Sequence, residues 1–147
     1  MLKLRDYWPG DLLLLQVQAD QADEYQVMSS CGEFLSDPGG EARTLLRGTR
    51  PIACAGIMPV VPGRFLAWAT FSDLRRAEWG RAMREMRRLI GQWDEDPKAV
   101  RLEATANRGF PAAGRMLRAL GFVLETPAGM RGFVRRATYD LYARVKL

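Results

Sequence analysis

The stretch Arg64–Trp93, RFLAWATFSDLRRAEWGRAMREMRRLIGQW, decides how the rest of the chain is read. Its first nine residues, Arg64–Ser72, are almost continuously apolar and rich in strand formers. That pattern predicts a strand buried on both faces near the middle of a sheet. From Leu74 the period changes. Apolar residues fall at 79, 82, 83, 86, 89, 90 and 93, the stripe of an amphipathic helix, while Arg81, Arg84, Arg87 and Arg88 occupy much of the other face. Asp94-Glu95-Asp96-Pro97 ends it.

Working outward, Met1–Tyr7 reads as a short strand stopped by Trp8-Pro9-Gly10. Asp11 is placed to cap a helix over Leu12–Asp23, with a further helical turn over Glu24–Ser30. Ser36–Gly40 is a loop by composition. Glu41–Arg47, Pro51–Val61 and Arg64–Ser72 form a predicted meander with turns at Gly48-Thr49 and Pro62-Gly63. Beyond the long helix, Ala99–Thr105 is a strand and Phe110–Leu120 a helix closed by Gly121. Phe122–Glu125 is a strand, Thr126–Gly132 a loop, and Tyr139–Val145 a last strand. The expected fold is α/β (α+β), with 1–147 as one domain.

Composition narrows the chemistry. The chain has 147 residues, 48% of them hydrophobic, so it can bury a core without staples. There is no His, which excludes Ser-His-Asp and Cys-His catalysis. Two cysteines, Cys31 and Cys54, make no disulfide framework and no zinc site. No run is long enough to span a bilayer, and Met1–Asp6 lacks the apolar stretch of a secretory signal. The expected location is therefore the reducing cytoplasm.

Residues 1–73 carry six basic and nine acidic groups, and residues 74–147 sixteen and eight. Nineteen of the basic residues are Arg. An anionic partner for the second half is one reading; solvated helix faces are the plainer one. Nucleic acid is expected to bind only nonspecifically, because the basic residues lack interleaved aromatics for stacking bases.

The element order, together with Asn107 and the helix end Arg115-Met-Leu-Arg-Ala-Leu-Gly-Phe122, resembles the GNAT superfamily of acyl-CoA-dependent N-acyltransferases. The second half, with its Arg-rich helix and terminal Asp140-Leu-Tyr-Ala-Arg144, is similar to divergent phage and prophage GNAT-like proteins, including small internal virion proteins of podophages. The resemblance implies a mixed, mostly antiparallel sheet of six to seven strands with about four helices, splayed between strands 4 and 5. It implies acetyl-CoA in that splay, an amine-bearing small molecule or protein as acceptor, and N-acetyltransferase activity. The alternative is a catalytically inactive virion or assembly protein with phage structural partners, located within a phage particle.

Carried residue by residue, the resemblance puts the pantetheine arm along Ala69, Thr70 and Phe71. It puts the pyrophosphate at the start of the long helix, near Arg75, Arg76 and Gly80, where unpaired N–H groups favour phosphate. Glu78 stands where the family loop has its first glycine, and a carboxylate there is expected to repel the pyrophosphate. Asn107 matches a cofactor-binding Asn, although the longer spacing to Gly121 also suits a loop or N-cap residue. Glu103 is a candidate base acting through water, or else a solvated strand carboxylate. The family's tyrosine four residues before Gly121 is replaced by Leu117. Tyr142, or Tyr139, on the last strand is the candidate substitute, with a core or surface tyrosine as the alternative.

Overall fold

The computed structural model describes residues 1–30 and 32–147; Cys31 lies outside the described residues. The strands are β1 (Leu2–Asp6), β2 (Glu41–Arg47), β3 (Arg50–Val61), β4 (Arg64–Phe71), β5 (Arg101–Asn107), β6 (Val123–Leu124), β7 (Met130–Val134) and β8 (Ala137–Val145). The helices are α1 (Ala22–Ser29), α2 (Gly32–Ser36), α3 (Arg76–Glu95) and α4 (Pro111–Ala119). The strands form one sheet in the order β1-β2-β3-β4-β5-β8-β6, with β7 also paired to β8. All neighbours are antiparallel except β4 and β5. The mixed α+β fold is the expected one, with one strand more than anticipated.

That extra strand is β7. Its residues lie partly in the segment read as a Thr126–Gly132 loop, and it forms a hairpin with β8. Arg135, at the turn, takes a positive φ of 55°, the left-handed region.

The Leu12–Asp23 helix does not form. Two short 3-10 turns, Asp11–Leu14 and Ala19–Gln21, precede α1 instead. Tertiary contacts decide this. Leu12 and Leu15 are buried with Cys54 beneath the sheet, while Leu13 and Leu14 face solvent. The buried Asp11 carboxylate is not a helix cap. It accepts from Arg5 Nη1 at 2.6 Å, Thr44 Oγ1 at 2.7 Å and the Trp8 N–H at 2.7 Å, which fixes the chain against β1 and β2.

The long amphipathic helix forms as expected. Ala82, Met86, Leu89, Ile90 and Trp93 of α3 are buried against one face of the sheet. Of these, Met86, Leu89 and Ile90 contribute ~1.5–3 kcal/mol each on burial. On the polar face, Arg81 and Arg88 both pair with the buried Glu85. Leu120-Gly121-Phe122 closes α4: the Gly121 N–H donates to Arg118 O and the Phe122 N–H to Leu117 O, each at 3.0 Å. That is a Schellman end, and the φ of 89° at Gly121 is why glycine stands there.

Candidate active site in the splayed sheet

The parallel ladder between β4 and β5 stops early. Only Arg64, Phe65 and Leu66 of β4 pair with Arg101, Leu102 and Glu103 of β5. Both strands continue, β4 to Phe71 and β5 to Asn107, but apart. At the closed end, the Val100 and Arg101 N–H groups both donate to Gly63 O at 2.9 Å, and Arg64 pairs with Glu103. At the open end, Trp79 packs on Phe71 with ring centroids 4.7 Å apart.

The register fixes which backbone groups face the gap. The Ser72 N–H donates to Ile52 O, and Cys54 lies opposite Thr70. Bonded and non-bonded pairs alternate along an antiparallel ladder. Thr70 therefore spends its N–H and C=O on β3, whereas those of Ala69 and Phe71 point into the splay. Of the three residues expected to meet the pantetheine arm, Ala69 and Phe71 present backbone to the gap. Thr70 does not: it is buried, with its hydroxyl directed at Met28 Sδ.

A cavity of about 640 Å³ passes through the splay. On one side of the sheet it is walled by Trp79, Met83, Met116 and Leu117 from α3 and α4. On the other side its wall includes Gln21, Glu24, Met28, Trp68, Phe133 and Tyr139. Arg135, at the β7–β8 turn, hydrogen-bonds Gln26 and so ties that hairpin to α1.

Three polar groups stand out in the second half of this cavity. Gln21 is buried and hydrogen-bonded to the β4 edge. Glu24 makes no ion pair among the described residues; burial pushes its carboxyl above the usual range, partly offset by the Gln21 amide. Tyr139 is 1% exposed, and its hydroxyl has no hydrogen-bond partner among the described residues. Burial, reinforced by the negative charges of Glu24 and Asp23, raises its pKa to about 12, so it holds its proton at neutral pH.

Tyr142 lies elsewhere. β8 alternates, so Tyr142 faces opposite to Tyr139, with its hydroxyl tucked under Gly114 of α4. A Cβ on Gly114 would come within 2.7 Å of that oxygen. Glu103 is buried outside the cavity lining and is held by Arg64 and then by Arg101, which keep its carboxyl below the usual range. Asn107 neither caps α4 nor lines the cavity. Its Oδ1 accepts the Gly109 N–H at 2.9 Å in a local turn, and Phe110 is the residue preceding α4.

The start of α3 carries the expected basic residues. Arg75 and Arg76 are exposed, and space for a ligand is open at Gly80. Glu78, expected to repel a phosphate, is turned inward. It takes the Arg75 N–H at 2.8 Å and a two-point ion pair from Arg47. Its charge is compensated, and it satisfies one of the unpaired donors of the helix start.

No protein-family model matches the sequence, and no curated protein is similar to it in sequence. Solved structures do match. The ribosomal-protein-S5-alanine acetyltransferase from Vibrio fischeri superposes with a TM-score of 0.68 at 11% identity, over 98% of this chain and 92% of that one. Spermidine N-acetyltransferase from Vibrio cholerae, in complex with CoA and spermine, gives 0.67 at 12% identity, over 98% and 95%. The ribosomal-protein-S18-alanine N-acetyltransferase from Escherichia coli gives 0.65 at 16% identity, over 99% and 94%. The fold is the GNAT fold. Identities this low carry the architecture and leave the chemistry to the residues of the splay.

No sequence motif marks Gln21 or Glu24: Gln21 lies in the expected Leu12–Asp23 helix, which does not form, and Glu24 in the expected turn Glu24–Ser30, which forms as part of α1. Tyr139 is the alternative that the sequence offers to Tyr142. The alternation of Leu141, Ala143 and Val145 places Tyr139 on the opposite face from Tyr142.

No described helix is long and apolar enough to cross a membrane.

Proposed function

We propose that this chain is an acyl-CoA-dependent N-acyltransferase, slow on generic amines, acting in the cytoplasm. The observation that carries the reading is the β4 edge that β5 leaves at Ala69 and Phe71, met by the side chain of Gln21 and not by a strand, which leads into the N-terminus of α3. An edge C=O and N–H fit the amides of a pantetheine arm. Exposed Arg75 and Arg76 beside unpaired helix N–H groups fit a pyrophosphate. Acetyl-CoA, when bound, supplies an acyl group activated as a thioester.

The chain's own residues then have separable roles. Arg75 and Arg76 bind and orient the anion. The β4 edge aligns the arm with the cavity. Glu24, poised by burial, accepts a proton from the incoming ammonium, directly or through water. Tyr139 keeps a proton at Oη for the departing sulfur. The apolar walls from α3, α4 and β7 exclude bulk water. Structural neighbours that act on spermidine and on ribosomal proteins support an amine-bearing acceptor, small or protein. Slow transfer follows because Leu117 stands in the cavity wall where the family pattern has a tyrosine, which leaves the proton to Tyr139, whose pKa of about 12 lies far above neutral.

Calorimetric titration with acetyl-CoA, followed by turnover assays on a panel of amines and peptides, tests this. Binding with turnover well below the enzyme median of ~10 s⁻¹ is expected. Absence of binding, with co-purification on a phage particle, would replace this reading with the assembly-protein one.

A further inference from the structure

We propose that Gln21 is a built-in occupant of the β4 edge, holding the amide station that a ligand's arm must take from it. The inference rests on the acyl-CoA reading above. Gln21 Nε2 donates to Ala69 O at 2.9 Å, and the Phe71 N–H donates to Gln21 Oε1 at 2.9 Å. These are the two bonds that one residue of a parallel neighbour strand would make. β5 abandons that role after Leu66. The side chain of Gln21 resumes it further along the same edge.

The surrounding chain reinforces the arrangement. Gln18 Nε2 donates to the same Gln21 Oε1 at 2.9 Å, and the Gln18 N–H donates to Phe71 O at 2.9 Å. Val17 forms an isolated antiparallel bridge with Ser72. Gln21 itself is only 6% exposed. A primary carboxamide carries donor and acceptor side by side, so it satisfies the edge as the N–H of one amide of a pantetheine arm and the C=O of the next would together. Both cannot occupy Ala69 O and the Phe71 N–H together. Ligand entry therefore requires the Gln21 side chain to leave, and the apparent affinity is lowered by the fraction of molecules in which it is seated.

The test pairs two probes, acetyl-CoA and adenosine 3′,5′-bisphosphate, the nucleotide portion without the arm. Calorimetry on Gln21→Ala should show acetyl-CoA binding about 3- to 10-fold tighter than in the wild type, the worth of the released hydrogen bonds. Affinity for the bisphosphate should not change. A second readout uses the wild-type protein and so does not depend on the variant folding. The Gln21 side-chain NH₂ resonance should move to the free-amide position on saturation with acetyl-CoA, and stay in place with the bisphosphate. Binding by the variant alone would also support the proposal, as a site shut in the wild type. Wild-type binding with an unmoved Gln21 resonance, or with equal or weaker affinity in Gln21→Ala, would overturn it and leave the acyl-CoA reading standing. Failure of both proteins to bind acetyl-CoA would overturn that reading and this inference with it.

Discussion

The Glu78 carboxylate receives the Arg47 guanidinium at two points, Nε at 2.7 Å and Nη2 at 2.6 Å, linking the end of β2 to the first turn of α3. The Arg47 hydrogen bond, with the Arg75 N–H, holds the Glu78 pKa down at about 2. A carboxyl depressed on folding stabilises the native state above its ordinary value of 4.5, and that contribution disappears as pH falls toward 2. Glu78→Gln should cost about 1.5–3 kcal/mol at neutral pH. Urea unfolding of the two proteins should show midpoints that converge between pH 4.5 and 2. A gap that persists unchanged at pH 2 would show that the charge of Glu78 is not what stabilises this corner.

Arg75 and Arg76 are exposed at a helix start, where cations oppose the dipole. Replacing both with Ala should leave thermal stability almost unchanged and weaken acetyl-CoA binding by ~1–3 kcal/mol. Equal affinity in the double variant would move the phosphates to another part of the molecule.

Tyr139→Phe removes a buried hydroxyl that has no partner among the described residues, so the melting temperature should hold or rise. Turnover should nevertheless fall, by 10²–10⁴-fold for a lost positioned acid, while affinity for acetyl-CoA stays constant. A stable variant with undiminished turnover would take Tyr139 out of the reaction.

Glu24 works as a base only when ionised, and burial raises its pKa. The acid limb of kcat/KM should therefore fall off at a pH above the ordinary carboxylate value of 4.5. In Glu24→Gln the rate should drop and that limb should vanish. A limb that survives the substitution belongs to another group.

Much of this architecture was legible along the chain because it is written locally. The apolar run Arg64–Phe71, the stripe from Ala82 to Trp93 and the Leu120-Gly121-Phe122 stop each reflect a period or turn chemistry within a few residues. The cavity's polar groups were not legible for the opposite reason. Gln21 and Glu24 precede β4 by about forty residues, and Tyr139 follows it by about seventy; only the sheet brings them together. The segment Asp11–Gln21 departs from its helical pattern because its side-chain and backbone groups bond Arg5, Tyr7, Thr44 and the β4 edge. The position of Glu78 in the loop points to repulsion of a phosphate, while nothing nearby in sequence announces its partner Arg47.

An unpaired strand edge on the rim of a sheet invites any passing chain to add itself. Here the length of β4 that no strand pairs is enclosed, with β5 on the far side of the gap, helices above and below, and the Gln21 side chain seated on it. The gap acts as a sieve. A peptide strand carries side chains on both faces of a sheet, where α3 and α4 on one side and α1 on the other wall the gap. A slender, unbranched arm bearing amides meets no such obstacle. The same hydrogen-bonding groups that would make an exposed edge sticky thus become selective by being placed where only a thin partner can reach them.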